Sequence, residues 1–164
     1  MMGSRRESGR LARTLPAAMA GAMAVAACTP ATPKSSAALP APPAAVTVAM
    51  GEYRFDFDPD IPAGRVNFSV HNAGSTAHEL ILARLPPDYP PSLDAQLHSP
   101  IRRRVEALRA LPVMAPGQGT VFAADLATGR YAFLCFVAGS DGTSHALKGM
   151  NAEFRVAEPE SGPR

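Results

Sequence analysis

The stretch YAFLCFVAGSDGTSHALKGMNAEFRV, residues 131–156, governs how the rest of the chain is read. It opens as a strand: alternation puts Tyr131, Phe133 and Cys135 on one face, with the thiol at the mouth of an aromatic core. Nine residues, Phe136 to Ser144, separate Cys135 from His145, and four separate His145 from Met150. A thiol, an imidazole and a thioether are the ligand types that a soft, redox-active copper centre prefers. Singly, each has an ordinary explanation: a small buried hydrophobe for Cys135, a solvated loop residue for His145, a core side chain for Met150. Their combination in one stretch makes a type 1 copper site the leading hypothesis, with Phe133 and Phe136 expected to keep water away.

Upstream the chain has the same β character. Val46 and Val48 alternate with polar or small residues, as do Tyr53, Phe55 and Phe57, then Val66, Phe68 and Val70 up to the turn Asn72-Ala73-Gly74. A further strand is predicted over His78 to Leu85, stopping at Pro86-Pro87, and others over Thr120 to Leu126, Arg130 to Val137 and Asn151 to Ala157. Seven or so short, turn-punctuated strands over residues 46–158 predict an all-β fold, a Greek-key β-sandwich. One short inserted helix interrupts it: Ser99 as N-cap, Pro100 at the first helical position, and Ile101, Val105, Leu108 and Leu111 at helical spacing. Its other face carries Arg102, Arg103, Arg104 and Arg109, read as a solvated face or as a docking patch for an acidic partner or anionic lipid.

The N-terminus has a different character. Arg5, Arg6, Arg10 and Arg13 precede an apolar run from Leu15 to Ala27 that is too short to span a bilayer, so residues 1–27 read as an export signal. Val25-Ala26-Ala27-Cys28 resembles a bacterial lipobox, which makes Cys28 the expected acylation site; an ordinary secretory signal containing a cysteine is the other reading. Ser4-Arg5-Arg6 resembles a twin-arginine start, but Glu7-Ser8-Gly9 lacks the apolar residues that follow in such signals, so either export route fits. Residues 28–45, rich in Pro, Ala and Ser, form an expected disordered tether, and 159–164 a short tail. Placement of the domain in the periplasm or cell envelope follows from this reading.

Of the sixteen Lys/Arg, five lie in residues 1–45 with one acidic residue, so residues 46–164 carry eleven basic against thirteen acidic groups. A near-neutral domain lacks the basic field that nucleic-acid binding needs. If Cys28 is acylated, Cys135 has no disulfide partner, and metal ligation would account for a lone exported thiol.

EYRFDFDPDIPAGRVNFSVHNAGSTAHELIL (52–82) and CFVAGSDGTSHALKGMNAEFRV (135–156) resemble the cupredoxins, the family of plastocyanin and azurin. In that family a first histidine ligand follows an N-x-G turn, which His78 matches, and Cys, His and Met follow near the C-terminus, which Cys135, His145 and Met150 match. The resemblance implies a copper cofactor held by His78, Cys135 and His145 in a trigonal plane, with Met150 as a weak axial ligand. The Cys-to-His interval is longer than in plastocyanin-like loops and closer to that of copper nitrite reductases. Lengthening the closed segment this far costs about 1 kcal/mol of closure entropy, small beside the binding energy of a metal.

With the lipobox-like start, the resemblance gives as the expected function a monomeric, lipid-anchored copper electron carrier working with a redox partner protein. Alternatives are copper storage or delivery, with a copper donor or acceptor as partner, and a metal-free envelope interaction module. Nitrite reduction needs a second copper site and a second domain, for which the chain is too short and has too few histidines. His71 and His98 are expected to face solvent, Met114 is a reserve ligand in a turn, and Glu79 is either an exposed strand carboxylate or a group that orders the site.

Overall fold

The computed structural model describes residues 42–158. The expected signal, the acylation site Cys28, residues 28–41 of the expected tether and the tail 159–164 lie outside the described residues. Ala44 and Ala45, which composition assigned to the tether, already open the first strand.

Nine strands occur among the described residues: β1 (Ala44–Gly51), β2 (Arg54–Asp56), β3 (Ile61–Pro62), β4 (Gly64–Asn72), β5 (Ile81–Leu85), β6 (Glu106–Ala110), β7 (Gly119–Leu126), β8 (Gly129–Leu134) and β9 (Asn151–Ala157). They form a four-stranded sheet in the order β2-β1-β4-β7 and a five-stranded sheet in the order β3-β9-β8-β5-β6. Pairings are antiparallel except β1 with β4 and β3 with β9, which are parallel. The chain crosses between the sheets after β2, β3, β4, β6 and β7, so sequence neighbours are often not sheet neighbours. This is the predicted all-β sandwich.

Alternation explains the layers. Val46, Val48 and Met50 of β1 and Val66, Phe68 and Val70 of β4 are buried and share one core with Leu82, Tyr131, Phe133, Phe154 and Val156 of the other sheet. Phe133 is the hub: its ring lies 4.9 Å from Phe57, 4.8 Å from Phe154, 5.7 Å from Phe55 and 6.0 Å from Phe68, centroid to centroid. Each such ring contributes about 1.5–3 kcal/mol by leaving water. A second apolar cluster covers the outer face of the five-stranded sheet, where Ala83, Leu85, Ala132 and Leu134 meet Tyr89, Leu93 and Leu97. Strand β8 is thus buried on both faces, which fixes the position of the residue that follows it, Cys135.

The inserted helix exists but lies earlier than the spacing predicts. Helix α1 spans Leu93–His98, capped by Ser92, whose hydroxyl accepts from the Ala95 N–H at 3.1 Å. Ser99 is its C-cap, not an N-cap. Residues 106–110, expected to be helical, instead form β6 against β5, with Ile81 opposite Ala110 and Leu82 opposite Arg109. Ile101 and Leu108 are 83% and 39% exposed, whereas Leu111 is buried in the main core and Val105 packs on the second cluster, so the four do not share one apolar surface. A short helix is marginal without such a surface, and pairing gives the open edge of β5 its backbone partners.

The predicted strand from His78 also starts late, at Ile81. His78 is held instead by an isolated bridge to Met114, its N–H donating to the Met114 carbonyl at 3.1 Å and its carbonyl accepting from the Met114 N–H at 2.7 Å.

Candidate metal centre

Three of the sequence-predicted ligands converge. His78 precedes β5, Cys135 follows β8, and His145 opens a 3-10 turn over His145–Lys148; all three are buried. His78 Nδ1 lies 3.1 Å from His145 Nδ1, which lies 3.7 Å from Cys135 Sγ, and one donor atom from each residue falls within 4.8 Å of the others. Donors sharing one ion at metal–ligand lengths of about 2.0–2.3 Å stand about 3–4 Å apart, so the cluster needs little movement to close on a metal. Met150 is also buried in the same core as Cys135. Its backbone ties the ligands together: its N–H donates to the His145 carbonyl at 2.9 Å, and its carbonyl accepts from the Cys135 N–H at 3.2 Å.

Asn72 is the other buried polar side chain among the described residues. Its Nδ2 donates to the carbonyls of Thr76, at 2.8 Å, and Met114, at 2.9 Å, while its Oδ1 accepts from the Gly74 N–H at 2.9 Å. The N-x-G turn is therefore an anchor as well as a turn: it fastens the loop that carries His78 to the strand entry at Met114. Met114 itself is buried in the core beside this bridge and does not lie in an open turn.

Glu52, which sequence reading left without a role, braces the same loop. Its Oε1 accepts from the backbone N–H groups of Ser75 and Thr76, both at 2.7 Å, and from the Thr76 hydroxyl at 3.0 Å. His78 Nε2 lies 3.4 Å from that oxygen, which favours the tautomer with the proton on Nε2 and leaves Nδ1 free to ligate. The amides of Thr76 and Ser75 hold the Glu52 carboxyl ionised, its pKa lowered to about 2.

The nine residues between Cys135 and His145 fold on themselves. Ala138 bridges Ser144, the Gly139 N–H donates to the Thr143 carbonyl at 2.9 Å, and Gly142 takes the tip at φ +75°. At the base the His145 N–H donates to the Val137 carbonyl at 2.8 Å and the Ala146 N–H to the Cys135 carbonyl at 2.6 Å. Lys148 Nζ pairs with Asp141 at 2.8 Å and lies over the Tyr53 ring, which itself packs 4.7 Å from the His145 ring. The long interval is a small hairpin that returns His145 to the thiol.

Other placements are mixed. His71 and His98 are exposed, as expected. Phe136 is 45% exposed and lies outside the core, so of the two predicted aromatics only Phe133 is buried together with Cys135. Glu79 does order the site: its N–H points at Cys135 Sγ at 3.4 Å, and its carboxylate accepts from the Phe136 N–H at 2.9 Å.

Burial raises the Cys135 thiol pKa above its ordinary 9.0, and burial, with the neighbouring His78, lowers His145 below 6.5. Both groups are therefore neutral near pH 7, ready to bind a metal with loss of the thiol proton. The signs set a stability window for the metal-free protein. As pH falls through 6.5 the unfolded chain gains a proton at His145 that the folded state resists, and as pH rises through 9.0 the unfolded thiol ionises while the folded one stays protonated. Urea unfolding is expected to show a midpoint that declines on both sides of that interval, and Cys135→Ala to remove the alkaline decline.

No known family profile matches this sequence, and no curated protein matches it. Among solved structures it is similar to an auracyanin from the photosynthetic bacterium Roseiflexus castenholzii, with a TM-score of 0.49 and 20% identity over 70% of this chain and 97% of that one. Auracyanin A, described as a "blue" copper protein from the green thermophilic photosynthetic bacterium Chloroflexus aurantiacus, gives 0.48 and 19% over 70% and 99%. Rusticyanin from Thiobacillus ferrooxidans gives 0.45 and 17% over 68% and 77%. What the chain itself displays is a β-sandwich carrying a buried cluster of two imidazoles and a thiol, a donor set that fits copper.

Proposed function

We propose that the protein is a type 1 copper electron carrier, exported and held at a membrane by a lipid on Cys28. The convergence of His78 Nδ1, Cys135 Sγ and His145 Nδ1 in a buried pocket carries this reading. Copper bound there would supply one-electron chemistry and the visible colour of thiolate coordination. His78 and His145 would ligate through Nδ1 and Cys135 as thiolate, with Met150 as a further, weak donor. Glu52 would hold the His78 ring and its tautomer, and the Glu79 amide would hydrogen-bond the thiolate. Because the hairpin, the Asn72 anchor and the Met150 backbone already fix the donors, little would rearrange between oxidation states.

Storage or delivery is disfavoured by the burial of all three donors, since handing a metal to a partner needs an accessible ligand. With Met150 as a fourth donor no position would be left for a substrate, which suits electron transfer rather than catalysis. Adding Cu(II) to the purified chain is expected to produce an intense visible thiolate band that Cys135→Ser abolishes with the fold retained. A folded protein without that band in its unsubstituted form would overturn the carrier reading.

Export and anchoring rest on the basic start, the short apolar run and the small residues before Cys28. Mass spectrometry of the membrane-extracted protein is expected to find an acylated Cys28 as the N-terminus, and Cys28→Ser to release the protein into the soluble fraction. A membrane-bound Cys28→Ser protein would overturn the anchor.

A further inference from the structure

An open groove of about 240 Å³ lies on the outer side of the five-stranded sheet, beside α1. Tyr89, Leu93, Leu97, Leu134 and Phe136 give it an apolar lining, and Arg102, Arg103 and Arg104 form one wall; no acidic residue lines it. The wall is fixed in place. Arg103 N–H donates to the Gln96 side chain at 3.3 Å, Arg102 Nε to the Ser99 carbonyl at 3.3 Å, and the Arg103 guanidinium pairs with Asp88. All three arginines are exposed, as are Ile101 beside them and much of Phe136.

Phe136 connects the groove to the metal centre. It is joined by one peptide bond to Cys135, and its N–H is held by Glu79, whose own N–H points at the Cys135 sulfur. The inner face of β8 ends at the thiol and the outer face ends at this groove, so the groove is a covalently short outlet from the candidate site.

We propose that the groove docks an acidic one-electron redox protein that seats an apolar side chain against Phe136 while its carboxylates meet Arg102, Arg103 and Arg104. The redox part of this proposal rests on the copper reading. Arg103 shares its charge with Asp88, but Arg102 and Arg104 pair with no acidic residue among the described residues, which favours an acidic partner, and an apolar concavity favours a protruding side chain over a flat lipid surface. The exchange moves one electron and neither a proton nor a bond: the reduced centre loses the electron and the partner's one-electron centre gains it.

The test is an NMR titration of the ¹⁵N-labelled full chain with a synthetic peptide of aspartates and glutamates flanking one phenylalanine. Amide shifts are expected at Arg102 to Arg104 and at Phe136. Binding is expected to weaken at least about tenfold in the combined Arg102→Ser, Arg103→Ser and Arg104→Ser variant, and to weaken strongly in high salt. Phe136→Ser, which leaves the charges in place, is expected to weaken binding without removing its salt dependence. Absence of shifts, shifts confined to another face, or binding to phosphatidylglycerol vesicles but not to the peptide would overturn the proposal. The visible band of the copper-loaded sample separates the two readings. A band without groove shifts overturns the docking proposal alone, whereas groove shifts without a band support the docking surface and overturn the redox role.

Discussion

Replacing Asn72 with alanine is expected to destabilise the domain by about 2–4 kcal/mol and to weaken copper binding at least tenfold. The side chain is buried and satisfies two carbonyls and one amide at 2.8–2.9 Å; alanine deprives the buried Met114 carbonyl, and the Thr76 carbonyl and Gly74 amide nearer the surface, of those bonds. The effect on the metal follows because the Met114 carbonyl also accepts from the His78 N–H, so loosening one end of this network loosens a ligand. Urea unfolding of the metal-free protein checks the first part, and competition with a Cu(I) chelator checks the second. An affinity unchanged by the substitution would show that the bridge to Met114 and the Glu52 brace position His78 without Asn72.

Phe133→Ala is expected to cost more, about 3–5 kcal/mol, the usual range for deleting a buried aromatic ring. Four rings pack around it: Phe55 of β2 and Phe57 just beyond it, Phe68 of β4 in the facing sheet, and Phe154 of the neighbouring strand β9. Calorimetry is expected to show a melting temperature lower by on the order of 10 °C or more. Because Cys135 lies two residues further along the same face, the visible copper band is expected to broaden or shift in this variant. Leu108→Ala, on exposed β6, serves as the comparison and is expected to change stability by under about 0.5 kcal/mol. A similar loss in both would contradict the placement of the core.

The sandwich was legible because period-two alternation is a local property: Val66, Phe68 and Val70 face inward whatever the rest of the chain does. The inserted helix was misplaced for the same reason in reverse. Ile101, Val105, Leu108 and Leu111 have helical spacing, yet residues 106–110, Leu108 among them, are taken up as a strand by the free edge of β5, more than twenty residues away in sequence. The donor set could be read from residue type and order, with His78 supplied by the family resemblance. Its bracing could not. Glu52 reaches Ser75 and Thr76 across the turn from β1, and no periodicity announces a contact between a carboxylate after one strand and a loop after another. Phe136 was misjudged because its place next to Cys135 was read as shielding, whereas strand alternation puts adjacent side chains on opposite faces and its ring is 45% exposed.

The hairpin between Cys135 and His145 also says where this protein can tolerate change. Its base is closed by the hydrogen bonds from Ala146 to Cys135 and from His145 to Val137, so both donors are set before the tip is reached. Residues inserted beside Ser140 would extend a finger rather than part the ligands. A dye, an electrode linker or a foreign peptide grafted there would ride on the protein next to its candidate redox centre without entering it, which makes the tip of this loop the natural handle for wiring the molecule to something else.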